Sequence, residues 1–289
     1  MIFRPIRDFF IQGKNISLTR RWLLGLHKIT GSIVPYFFNI NPSSLSPKPK
    51  FKDQYEKWAK VFRFETKPNK DVYKQKILNL ENKEIPIIEY INSQLNKNFK
   101  WHNVDVFDVF INEPNLGGVP DGEEAIGNKV INTLEIKTTI FEEDNFYPSK
   151  PYINHQLQLS LYMSLRGIDT GYLCLCRYPK YTKKTEKLNP TGSLTKKEID
   201  DSWKEEKIVC WLSNKEYTYK YRILEHWDNN GLPSDKISLF KIQIDKDYFL
   251  SMMREISDYL SCLKYSKSPE MNEKQIEEII NYIEKVDII

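Results

Sequence analysis

Cysteine is scarce in this chain of 289 residues. The four present, Cys174, Cys176, Cys210 and Cys262, are scattered and form no Cys-x-x-Cys pair. A disulfide scaffold needs a denser set, and a zinc or iron–sulfur site needs clustered thiolates, so neither is expected. Long apolar runs are also missing. Ile33-Val34-Pro35-Tyr36-Phe37-Phe38 is far shorter than the ~20 apolar residues of a membrane helix, so no membrane partner is expected. Met1-Ile2-Phe3-Arg4-Pro5-Ile6-Arg7-Asp8 has no continuous apolar core and no small-residue cleavage site. The expected location is therefore cytoplasmic. Alanine is nearly absent while lysine, asparagine and isoleucine abound, a bias that speaks of an AT-rich genome rather than of a function.

What is present is a globular composition, with 40% apolar and 28% charged residues. The net charge of +4 is unevenly spread. Residues 1–80 carry sixteen Lys/Arg against five Asp/Glu, and the rest of the chain is net acidic. A basic N-terminal third is the electrostatic footprint of a nucleic-acid binder. Lysine-rich proteins also carry lysine-rich faces for solubility alone.

Hydrophobic periodicity sketches the elements. Leu18 to Leu26 reads as helical, and Ser32 can cap a helix after Thr30-Gly31. Asn41 to Pro49 reads as a loop. Helices are expected at about 52–62 and 71–96, the second interrupted or restarted at Pro86. Val104 to Phe110 reads as a strand. A hairpin turning near Gly127-Asn128 then joins 119–123 to 130–137. Pro151 to Arg166 is a helix and Gly171 to Tyr178 a buried-type strand, so strand, helix and strand imply a parallel pair. Residues 179–206 are polar and read as an insertion or mobile loop. Lys207 to Trp211 and Ser238 to Ile244 read as strands, with helices at Asp245 to Tyr265 and Glu273 to Lys285. One domain spanning 1–289 is expected: a basic helical part (1–96), an α/β core (97–265) and a C-terminal helix (266–289).

The chemistry concentrates between Gly117 and Thr139. Asp121 follows Pro120 in a glycine-rich turn, Glu135 lies on the next strand and Lys137 two residues on. Strand side chains alternate, so Glu135 and Lys137 share a face while Leu134 and Ile136 point into the core. Two carboxylates beside a lysine suit a magnesium site that hydrolyses phosphodiesters, because magnesium prefers hard oxygen ligands and keeps part of its water shell. The lysine can orient the attacking hydroxide or stabilise charge on the phosphate. The same residues also admit a plain reading, as an Asp turn and a solvated Glu-x-Lys face.

Three further features line up. Glu84 lies in the helical segment Glu81 to Glu89, His155-Gln156-Leu157-Gln158 opens the crossover helix, and Lys28-Ile29-Thr30-Gly31-Ser32 lies in the basic region. This ordered set resembles the PD-(D/E)xK nuclease superfamily, and within it the λ-exonuclease-like family of phage recombination exonucleases. The likeness runs over roughly residues 18–265. It implies a restriction-endonuclease-like mixed sheet flanked by helices, with a helical N-terminal part. By resemblance, Asp121, Glu135 and the backbone carbonyl of Ile136 bind magnesium, which manganese can replace. Lys137 handles the water, and a helix acid and a glutamine complete the polar shell. Glu84 is the preferred acid, with Glu81 and Glu89 as alternatives. Residues two apart on a helix do not share a face, so at most one of Gln156 and Gln158 is expected to touch the site, and the resemblance favours Gln156. Arg20, Arg21, Lys28 and Ser32 are the expected DNA contacts.

The activity implied is a 5′-to-3′ exonuclease on duplex DNA ends. Relatives form rings, so a trimer and a single-strand annealing protein are the partners the resemblance offers. The absence of clustered cysteines argues against the iron–sulfur branch of related nucleases. Gly25 stands where many relatives carry an arginine. An endonuclease or junction resolvase of the same superfamily, and a non-catalytic DNA-binding module with this fold, are the competing readings.

Overall fold

The computed structural model describes residues 9–18, 28–39, 53–62, 64, 83–102, 106, 108–141, 151–179, 187–229, 236–260, 262 and 267–286. Its centre is a mixed sheet of nine strands. The order is β4 (Phe38–Asn39), β11 (Lys204–Cys210), β12 (Lys215–Asn229), β13 (Lys236–Ile244), β9 (Thr170–Pro179), β8 (Lys129–Phe141), β7 (Gly122–Ile126) and β5 (Lys100–Trp101). The ninth strand, β10 (Leu194–Lys196), pairs with β12. β8 and β9 are parallel and the other pairings in the sheet are antiparallel.

Both faces are covered by helices, which is why so many strand residues are apolar on both sides. On one face lie α1 (Gln54–Val61), α3 (Ile153–Arg166) and α4 (Lys246–Leu260), packed through Trp58, Leu157, Leu161, Phe249 and Met253 onto Leu173, Tyr219 and Phe240. On the other, α2 (Ile85–Leu95) packs Ile87, Ile88 and Ile91 against Leu134, Ile136 and Cys174. α5 (Glu273–Val286) joins the first core through Ile279. This is a mixed α/β fold of the restriction-endonuclease-like class.

The expected hairpin is present. β7 and β8 meet at Gly127-Asn128, where Gly127 takes the left-handed conformation (φ +57°) that a tight turn requires. The parallel β8–β9 pair joined by α3 is also as read from sequence. Pro86 falls in the first turn of α2, where its missing N–H costs nothing.

Several expectations change. The described residues of 104–110, which are 106 and 108–110, lie outside any strand; the sheet edge is β5 instead. The expected helix after Ser32 is a 3₁₀ helix, Gly31–Phe37. Its N-cap is Thr30, without a side-chain cap bond. The described part of 179–206 is woven into the sheet by β10, and Leu188 is buried in the second core. β12, the longest strand, has no counterpart in the sequence reading, although Tyr217, Tyr219, Tyr221 and Ile223 alternate inward along it. The described N-terminal residues include a hairpin, β1 (Phe9–Gln12) and β2 (Asn15–Leu18), where the sequence suggested a helical part. The expected helix at 18–26, Arg20 and Arg21 within it, and the 41–49 loop fall outside the described residues apart from Leu18.

A parallel two-strand contact positions the site. β3 (Ile29–Thr30) pairs with β6 (Leu116–Gly117), which carries Thr30-Gly31-Ser32 up against the chain just before Asp121.

Candidate active site

The hairpin register brings the acids together. Gly122 lies opposite Leu134, so Asp121, one residue earlier, stands beside Glu135 and Ile136. Its Oδ2 accepts the Ile136 N–H at 2.7 Å, a charge-assisted bond that fixes the carboxylate against the strand. Glu135 and Lys137 share the face toward α3, and the Lys137 ammonium donates to Glu135 Oε1. Lys137 also donates to Gln158 Oε1 at 2.8 Å. Glu84, at the entry of α2, accepts a long bond of 3.4 Å from Trp101 Nε1 and interacts electrostatically with Asp121, Glu135 and Lys137.

Three carboxylates and one ammonium thus share a partly dry space. Glu135 is only 1% exposed, and its Oε2 is buried without a hydrogen-bond partner. Burial, then the charge of Asp121, pushes the Glu135 carboxyl up to about 8. Burial, then Asp121 and Glu135, pushes Glu84 up to about 9. Lys137 is raised: burial favours its neutral form, but Glu135 and Asp121 together outweigh that. The pocket is short of positive charge.

The two glutamates are easier to protonate when folded than when unfolded. Their stabilising contribution is complete below about 4.5 and is lost as pH rises through about 8 to 9. In chelator, thermal unfolding of the protein should therefore show falling stability across that window. Glu135→Gln should flatten the slope. An unchanged slope in that variant would show that Glu135 is not the group responsible.

The donor set fits a hard divalent cation. Asp121, the orphaned Glu135 Oε2 and the Ile136 carbonyl are all oxygens, the ligand type magnesium and manganese take. Among the described residues, no three His, Cys, Asp or Glu side chains converge as a ready-made cage.

The next layer comes from α3 and the N-terminal segment. Tyr162 is buried, and its hydroxyl is held in the neutral form by burial and by the charges of Glu135 and Asp121. Its ring lies against Gly31 and Gly118. A Cβ on Gly31 would come within 2.5 Å of Tyr162 Cζ and 2.9 Å of Gln158 Cγ, so only glycine fits there. Asp108 accepts the N–H groups of Phe110 and Gly118 at 2.9 and 3.0 Å and pairs with Lys28 at 2.6 Å.

The expected residues fall as follows. Glu84, Asp121, Glu135 and Lys137 are brought together, with the Ile136 backbone between the two acids. Of the alternative helix acids, Glu89 is exposed on α2 and Glu81 lies outside the described residues. Gln156 does not reach Lys137: it is buried, and its amide donates to the Pro151 carbonyl at 3.0 Å. The glutamine on Lys137 is Gln158, on the other side of the helix. Lys28 is engaged by Asp108, so its charge is largely spent within the fold. Ser32 is exposed and lies 3.3 Å from the Thr30 hydroxyl. His155 packs edge-on to Tyr152, a structural position. Tyr162 was absent from the sequence reading, though its spacing of four from Gln158 puts both on one helix face.

No family model and no curated protein matches this chain. Among solved structures, an alkaline exonuclease (LHK-Exo) from Laribacter hongkongensis aligns over 93% of this chain and 100% of that one, at 13% identity and a TM-score of 0.35. A likeness that loose carries no functional argument, so function rests on the site itself. Among the described residues no helix is long and apolar enough to cross a membrane.

Proposed function

We propose that this chain is a divalent-metal-dependent DNA nuclease that hydrolyses phosphodiester bonds. The observation that supports it most is Glu135. A fully buried carboxylate with one orphaned oxygen, next to a second carboxylate and a lysine, is costly unless a cation completes it. Asp121, Glu135 and the Ile136 carbonyl would hold magnesium, or manganese in its place. Bound there, the ion would supply a water of lowered pKa and neutralise charge on the phosphate.

The side chains do the rest. The Ile136 N–H orients Asp121 beside Glu135. Gln158 accepts from Lys137 and turns the ammonium toward the reacting phosphate. Lys137 then donates to the developing oxyanion or holds the attacking water in line. Once its own proton has been displaced on metal binding, the Glu84 carboxylate, whose proton affinity burial raises, can take the proton that the water gives up.

The substrate reading is DNA, with affinity from phosphate contacts and no sequence preference. Within that class, the favoured activity is a 5′-to-3′ exonuclease on duplex ends. The exposed Ser32 hydroxyl beside Thr30, carried to the site by the β3–β6 pairing, is the favoured contact for a terminal 5′-phosphate. Arg20 and Arg21 would add charge from the same segment. A ring-forming trimer and a single-strand annealing partner belong to this reading as well.

Linear duplexes with 5′-phosphate or 5′-hydroxyl ends, compared with covalently closed circles, test it. The expected result is digestion of the phosphorylated linear duplex, little of the circle, and loss of the 5′-phosphate preference in Ser32→Ala. Cutting of circles as fast as linear DNA would favour the endonuclease or resolvase reading. DNA binding that is indifferent to divalent ions, with no cleavage, would favour a binding module.

A further inference from the structure

Gln158, Tyr162 and Arg166 are spaced four apart on α3 and so form one stripe along it, on the face turned to β7 and β8. Each end of that stripe is tied to the sheet. At the front, Gln158 meets Lys137. At the back, Arg166 grips Glu123 with two parallel bonds, Nε to Oε1 at 2.7 Å and Nη2 to Oε2 at 2.8 Å. Glu123 is two residues from Asp121 on the same hairpin arm, is 8% exposed, and takes a third contact from His102 Nε2 at 3.0 Å. The guanidinium also lies 4.5 Å from the Phe110 ring centroid, and Phe110 stacks almost parallel on Tyr162.

We propose that Arg166 and Glu123 are positioning residues of the active site. Together they set the slide of α3 along the hairpin, and hence the place of Gln158 against Lys137. The inference rests on the nuclease reading of that site. A bidentate pair fixes distance and rotation together, which a single lysine contact does not. The stack from Arg166 through Phe110 to Tyr162 passes that constraint on to the ring lying against Gly31 and Gly118. Small displacements of a catalytic side chain can cost rate out of proportion to their size.

The test is Arg166→Lys, which keeps the charge and loses the fork. Its kinetics are measured on duplex DNA in wild-type and Gln158→Ala backgrounds. In the wild-type background, kcat should fall on the order of ten-fold or more with KM and the magnesium requirement unchanged. In the Gln158→Ala background, the same substitution should add little, because the contact it positions is already gone. Should Arg166→Lys fold poorly, Glu123→Gln keeps the shape of the partner and is judged by the same two numbers. Wild-type kcat in the substituted protein, or an equal loss in both backgrounds, would overturn the positioning role while the nuclease reading stands. A wild-type protein that cuts nothing would overturn both.

Discussion

Alanine at Asp121, Glu135 or Lys137 should each lower cleavage on the order of 100- to 1000-fold, with the protein still folded. These groups face a polar pocket at the end of the hairpin, while the cores are built from Leu134, Ile136, Leu173 and their neighbours. Removing Glu135 relieves the crowding beside Asp121 but takes a partner from Lys137, so its alanine variant should remain folded in chelator with a modest loss of stability. The three act as one unit: Asp121 and Glu135 on a shared cation, and Lys137 on Glu135 and the phosphate. A double variant should therefore be little worse than either single one. Kinetics on a 5′-labelled duplex, paired with thermal melts, decide this. Near-normal rates in Lys137→Ala would mean that β8 is not the catalytic strand.

Removing divalent ions should abolish cleavage outright, and restoring them should raise the melting temperature. Binding to the folded form alone stabilises by mass action, about 2.7 kcal/mol at one hundred times the dissociation constant. The gain should grow as pH rises toward 8 to 9, because the ion must displace protons that burial and Asp121 hold on Glu135 and Glu84. Glu135→Ala should lose most of the metal-induced shift. Calcium should produce a shift without supporting turnover. A melting temperature that ignores magnesium and manganese at every pH would remove the metal from the account.

The parts of the site built on strand periodicity were legible in the sequence. A period of two places Glu135 and Lys137 on one face whatever the rest of the fold does, and the Gly127-Asn128 turn sets the register that brings Asp121 to Glu135. The glutamine was not legible, because choosing between Gln156 and Gln158 requires the rotation of α3 against the sheet. That rotation depends on distant contacts such as Arg166 with Glu123. The alternation along 104–110 reads as a strand, but its described residues, 106 and 108–110, lie outside any strand. In the fold, Asp108 instead gathers two backbone N–H groups and Lys28, bonds that replace a ladder. The segment before β11 is polar enough in sequence to suggest that it buries little. Yet Leu188 and Leu194 pack into the second core, and the Tyr90 hydroxyl donates to the Gly192 carbonyl at 3.1 Å. β12 carried its own alternating signal in Tyr217, Tyr219, Tyr221 and Ile223. Thr218, Lys220 and Arg222 fill the outward positions between those residues, and Lys220 pairs with Glu205 on β11.

The most direct test of the central claim is release of label from a 5′-end-labelled linear duplex. Purified wild-type protein and Glu135→Ala are compared in magnesium and in chelator. The account predicts labelled mononucleotide from the wild type in magnesium, and none from the wild type in chelator or from Glu135→Ala in either. No release by the wild type across the magnesium series, or equal release by Glu135→Ala, would contradict it.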